Sequence, residues 1–145
     1  MFRLLEKQDY YKNYINLLKQ LTETGELSYK TFEEYIDANS IKTPLYNSSI
    51  YVVEIDNKII ATGTLMVCTK IIHNCGKVAF IEDIVVDKNH RNMGLGKKII
   101  EFFKSIAVKE RCYKIILNCS FENETYYEKF DFVKKNSQMA IYFDK

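Results

Sequence analysis

Apolar residues along this chain repeat with two different periods. Between Tyr10 and Leu21 they fall at positions 10, 11, 14, 15, 17, 18 and 21, a stripe of helical spacing. Thr22-Glu23-Thr24-Gly25 follows, with Gly25 as a C-terminal stop. Ser28 is placed to cap a second helix over Tyr29–Ala38, whose apolar residues are 29, 32, 35 and 36. Ahead of both, Phe2–Leu5 is a short β candidate. Asn39–Asn47, with the only proline, Pro44, reads as a loop. From Ile50 the composition becomes that of strands. Ile50–Ile55, Ile59–Cys68 and Val78–Val86 are separated by turn signals at Asp56-Asn57 and His73-Asn74-Cys75-Gly76, which predicts an antiparallel meander. The helical period returns at Gly96: Ile99, Ile100, Phe102, Phe103, Ile106 and Ala107 share one face of a helix ending near Glu110. Lys114–Leu117 reads as a short buried strand and Asn123–Phe130 as a helix of two turns. Phe132–Val133 and Met139–Phe143 are read as closing strands. The sum is one α+β domain over residues 1–145, with a mixed central sheet flanked by helices.

Composition narrows the function classes. Hydrophobic residues make up 47% and charged residues 28% of 145, an ordinary globular balance. A net charge of +2, with basic residues interleaved among acidic ones, argues against a nucleic-acid binder. No apolar run reaches the ~20 residues needed to span a bilayer, and the N-terminus turns polar at once, so a cytoplasmic protein is expected. Cys68, Cys75, Cys112 and Cys119 show no metal-ligand spacing and only two histidines accompany them, so no metal is expected.

The richest segment is Glu82-Asp83-Ile84-Val85-Val86 running into Arg91-Asn92-Met93-Gly94-Leu95-Gly96-Lys97. A strand entering a glycine turn and then a helix builds an anion site, because first-turn amides lack intrahelical partners and carry the positive end of the helix dipole. The turn lacks the Gly-Lys-Ser/Thr ending of a Walker loop and the third glycine of the dinucleotide fingerprint. Two carboxylates just upstream, on opposite faces of a regular strand, would place one on each side of the sheet.

Arg-x-x-Gly-x-Gly after an apolar strand resembles the acetyl-CoA signature of the GNAT N-acetyltransferases. Further stretches resemble one branch, the glucosamine 6-phosphate N-acetyltransferases: Lys70-Ile71-Ile72-His73, Ile81-Glu82-Asp83-Ile84, Cys112-Tyr113-Lys114-Ile115-Ile116-Leu117, and Asn123 with Tyr126-Tyr127-Glu128-Lys129. The likeness runs through essentially the whole chain, in order. It implies the acyl-CoA N-acyltransferase fold, with two splayed strands holding acetyl-CoA between them.

The resemblance also implies roles. Arg91, Asn92, Met93, Gly94, Leu95, Gly96 and Lys97 would carry the pyrophosphate. Ile84, Val85 and Val86 would pair with pantetheine through their backbone, in the manner of an added strand, and Asn123 and Tyr127 would complete the cofactor site. The Ile84 strand would supply the oxyanion donor, and Tyr127 the proton for the leaving thiolate. Thr22, Lys70, Ile71, Ile72, His73, Glu82, Asp83, Ile84, Tyr113 and Lys114 would meet D-glucosamine 6-phosphate. Glu82 and Asp83 would also serve the catalytic step, beside Asn118, which stands where the branch more often has a carboxylate. Asp131 replaces a usual glycine, and Tyr142 falls where some members place an arginine. The active form would be a homodimer with a shared site, with Tyr113 and Lys114 reaching across. Other amine acceptors on the same fold, or an acetyl-CoA-binding module without turnover, are the competing readings.

Overall fold

The computed structural model describes residues 1–143. Its centre is a five-stranded sheet in sequential order: β1 (Phe2–Leu4), β2 (Tyr46–Ile55), β3 (Lys58–Thr69), β4 (Lys77–Val86) and β5 (Cys112–Leu117). The first four strands pair antiparallel, β2, β3 and β4 through short turns, and β4 and β5 pair parallel. Parallel neighbours need a crossover, and here the 15-residue helix α4 (Leu95–Lys109) supplies it.

Each face of the sheet has its own core. Ile99, Phe103 and Ala107 of α4 pack on Val53, Ala61, Leu65, Val67, Ala79 and Ile81. On the other face, α1 (Tyr14–Leu18) and α2 (Tyr29–Asn39) bring Tyr14, Leu17 and Phe32 onto Ile50, Val52, Ile59 and Val85. Alternation along β3 and β4 supplies both cores at once, and β3 is buried over most of its length.

Ser28 caps α2 as expected, accepting from the Thr31 amide at 3.1 Å. The single helix expected over Tyr10–Leu21 is instead two pieces: a 3-10 turn over Lys7–Tyr11 and then α1. Asn13 between them has φ 67, and the Lys12 carbonyl accepts from the Ile59 amide on β3 at 2.8 Å. A tertiary bond thus takes an acceptor that a continuous helix would use. Asp9, fully buried, anchors the first piece by holding the Arg3 guanidinium with two bonds of 2.7 Å.

β2 begins at Tyr46, earlier than the apolar pattern suggests, because Ser48 and Ser49 pair with Met66 and Leu65. The turn after β3 contains a distorted single turn, α3 (Ile72–Cys75), in which His73 and Asn74 take positive φ. The short helix near residue 126 is α5 (Glu124–Glu128). The two closing strands do not form: within this chain, residues 132–133 and 139–143 carry no ladder. Met139, Ile141, Tyr142 and Phe143 stand between 81% and 94% exposed. Their apolar character is real, but the single chain offers it nothing to pack on.

Candidate active site

The β4–β5 ladder ends where Ile81 meets Leu117. β4 continues for five more residues, held on its other side by β3 through Glu82, Val85 and Val86. Toward β5, the backbone of Glu82–Val86 is therefore an open edge, and it leads into the glycine turn.

Within that edge the strand is not regular. Glu82 pairs with Thr64 and Val85 with Thr62, so Asp83 and Ile84 together oppose the single residue Gly63. This is a β-bulge, with Asp83 at φ 53. Its consequence overturns the opposite-face expectation for Glu82 and Asp83. Ile81, Ile84 and Val86 pack with the α4 core while Val85 packs with the α1–α2 core. The negative field of Asp83 reaches Tyr14 and Tyr35 on the α1–α2 side and also raises the Glu82 carboxyl. The two carboxylates thus act on one region. Glu82 is held above the ordinary carboxylate range, first by burial and then by Asp83. An isolated glycine inside Ala61-Thr62-Gly63-Thr64 was the sequence signal for this bulge. A Cβ on Gly63 would lie 3.0 Å from Phe103 Cε2 and 3.2 Å from Ile84 Cγ1.

The glycine turn closes the open edge. Gly94 is the N-cap of α4 at φ 72, in open space, and no side chain caps the helix. First-turn amides are therefore free for an external acceptor. Arg91, Asn92, Met93 and Lys97 are exposed around them, with Leu95 turned into the core. Gly96 plays a different part from Gly94. A Cβ there would sit 2.6 Å from the Tyr126 hydroxyl, so the missing side chain makes room for Tyr126 as well as for a ligand.

Tyr127 stands on α5, close to Cys119 in the segment that leaves β5. It is half-buried, its ring edge-on to Tyr126 at 5.3 Å and to Phe132 at 6.1 Å. Burial, then the fields of Cys119 and Tyr126, push its phenol above the ordinary value, which keeps it a donor. Asn118 is exposed just past the end of β5. Asn123 is exposed, and its side-chain amide is engaged with Ser120 Oγ at 3.2 Å.

The other expected substrate contacts lie elsewhere. Lys70, Ile71, Ile72 and His73 form an exposed turn, closed by Lys70 N–H donating to the Gly76 carbonyl at 2.9 Å. The His73 and Tyr113 ring centroids lie 4.2 Å apart, and Lys114 Nζ is 5.6 Å from the centre of the Tyr113 ring. This cation cluster lies at the start of β5, where Lys114 pairs with Val78 of β4. Four residue steps along β4 take Val78 to Glu82, roughly 13 Å at the usual rise. Thr22 lies in a shallow hollow after α1, lined also by Lys19, Glu23, Thr24 and Gly25.

Residues 14–132 match the acetyltransferase (GNAT) family. The chain belongs to this family. It is 42% identical over 144 residues to the glucosamine 6-phosphate N-acetyltransferase of Arabidopsis thaliana, covering 98% of this chain and 95% of that one. It is 46% identical over 145 residues to glucosamine 6-phosphate N-acetyltransferase 1 of Dictyostelium discoideum, covering 97% and 89%. The crystal structure of the Arabidopsis enzyme superposes with a TM-score of 0.92, at 40% identity, covering 99% of this chain and 98% of that one. The sheet with an open β4 edge is thus the acetyltransferase fold that the resemblance implied.

Proposed function

We propose that this GNAT acetyltransferase moves the acetyl group of acetyl-CoA to the amine of D-glucosamine 6-phosphate, giving the N-acetyl sugar phosphate and CoA for UDP-N-acetylglucosamine synthesis. The observation that carries the reading is the continuous track from Glu82 through the open β4 edge to an uncapped α4. It matches an extended chain ending in a pyrophosphate. Near-full-length identity to two enzymes of that name supports the acceptor.

Each step has a residue suited to it. Backbone groups of Ile84–Val86 pair with pantetheine, and the Arg91–Lys97 turn takes the phosphates. The bulge turns backbone N–H groups at Asp83–Ile84 away from the ladder, where one can stabilise the oxyanion as nitrogen attacks the thioester carbon. Glu82, with its raised carboxyl pKa, accepts the amine proton directly or through water, while Asp83 and Asn118 orient the acceptor. When the carbon–sulfur bond breaks, Tyr127 donates a hydrogen bond or its proton to the thiolate.

The phosphate of the sugar calls for cations, and the Lys70–His73–Tyr113–Lys114 cluster is the available set. Its separation from Glu82 supports a homodimer in which one copy's cluster faces the other's carboxylates. The exposed apolar Met139, Ile141, Tyr142 and Phe143 favour the same assembly, as does β5, an edge strand among the described residues. Among the described residues no helix is long and apolar enough to cross a membrane, and a cytoplasmic location fits the reading.

A thiol-release assay with acetyl-CoA and an amine panel tests the acceptor. Glucosamine 6-phosphate should exceed glucosamine by about 10²-fold or more in kcat/KM, since a charge-assisted phosphate contact is absent from the latter. Equal rates, or a faster polyamine or peptide, would remove the phosphosugar assignment.

A further inference from the structure

Gln20 lies one residue past the C-cap of α1 and two residues before Thr22, on the rim of the hollow formed by Lys19, Thr22, Glu23, Thr24 and Gly25. Both ends of its amide reach across to the segment that follows β4. Its Nε2 donates to Asp87 Oδ2 at 2.8 Å, and its Oε1 accepts from the Lys88 backbone N–H at 2.8 Å. Asp87 is 7% exposed and organises the segment leading to the glycine turn. Asp87 Oδ1 accepts from the Asn89 amide at 2.9 Å and faces His90 Nδ1 at 3.0 Å, while its own amide donates to the Ile60 carbonyl at 2.8 Å. Arg91 Nε reaches the Val86 carbonyl from the other side, at 3.4 Å. One side chain therefore ties two loops that the chain separates by more than sixty residues, 67 to Asp87 and 68 to Lys88.

The two loops belong to different halves of the site. On the proposed reading Thr22 meets the acceptor, so residues 21–25 belong to the acceptor side, and 87–96 run into the pyrophosphate turn. A planar amide bonded at both ends is a stiff link: a shift of the turn on binding anion changes two bonds at once. We infer that Gln20 is a positioning residue that couples occupancy of the pyrophosphate turn to the geometry of the acceptor-side loop, ordering 21–25 once the cofactor is seated. The inference rests on the reading of Arg91–Gly96 as the pyrophosphate site and goes beyond it, since that reading by itself treats the two loops as independent.

Hydrogen exchange of the full chain, with and without CoA as the probe, tests it. In the wild type, CoA should slow exchange at residues 91–97 and also at 20–25, the latter by about fivefold or more. Gln20→Met keeps the volume of the side chain and deletes both bonds. Lys88→Pro deletes the facing backbone donor, at the first position of a 3-10 turn and after an Asp87 whose extended backbone (φ −50, ψ 133) tolerates it. In either variant CoA should still slow exchange at 91–97, while the slowing at 20–25 disappears. A merely structural brace would raise exchange at 20–25 equally with and without CoA. An unchanged ratio in either folded variant overturns the inference, as does a wild type protected at 91–97 alone. A wild type unprotected at 91–97 instead removes the cofactor reading, and the inference with it.

Discussion

At the scale of single residues, Tyr126 and Tyr127 divide their work by where their hydroxyls lie. Tyr127→Phe should lower kcat by ~10²-fold while leaving CoA affinity within error in calorimetry. The sign of its pKa shift gives a second readout. A phenol held above its ordinary value stays protonated as pH rises, so the alkaline fall of kcat should begin only beyond ~10, and should vanish in the variant. Tyr126 governs Gly96. Gly96→Ala drives a methyl to 2.6 Å from the Tyr126 hydroxyl but leaves 3.7 Å to the ring carbon bearing it. The hydroxyl is the far end of an exposed side chain that can turn aside, so the alanine alone should cost less than about 1 kcal/mol in denaturant unfolding once its better helix propensity is counted. Adding Tyr126→Phe should recover most of that, a coupling a double-mutant cycle reads directly. The role expected of Tyr127 came from its motif, but the contact between Tyr126 and Gly96 was not legible in the sequence, because it is set by the docking of α5 on α4.

At the scale of elements, the open β4 edge depends on its bulge. Gly63→Ala would press a methyl against Phe103 and Ile84, whose positions fix the bulge from the α4 side. We expect a loss of about 1–3 kcal/mol in thermal unfolding and a larger proportional loss of kcat than of acetyl-CoA affinity, because the oxyanion donor moves while the glycine turn does not. Equal losses in both would separate the bulge from the chemistry. Strand and helix identities were readable where one period runs unbroken, as in Ile59–Cys68 and Ile99–Ala107. They failed where a tertiary bond intervenes. The Tyr10–Leu21 stripe is broken by Lys12 bonding to Ile59, and the faces of Glu82 and Asp83 are reset by one extra residue in β4. Periodicity sees neither, since each depends on a partner more than fifteen residues away.

At the scale of the whole molecule, the end of the chain is the unfinished part. The sequence pattern of Met139–Phe143 is that of a strand, the single chain leaves it exposed, and among the described residues β5 is an edge strand. The pattern reports the hydrophobicity but not what covers it. Light scattering should show a dimer for the full chain. Ile141→Asp should shift it to monomer and depress kcat/KM for the sugar phosphate about 10-fold or more, more than for acetyl-CoA, since the cation cluster then loses its facing carboxylates. A dimer that survives this change, or a fully active monomer, would remove the shared site.

The unpaired stretch of β4 also makes the folded state conditional on metabolism. An exposed strand edge is a template for pairing with other chains. On the proposed reading the co-substrate fills it as a removable strand. Any ligand that binds only the folded chain adds stability by mass action, about 2.7 kcal/mol at a hundredfold excess over its Kd. The sheet of this protein would then be complete in a well-fed cell and left with an open edge in a starved one. Its resistance to unfolding and self-association would follow the acyl-carrier supply as closely as its turnover does.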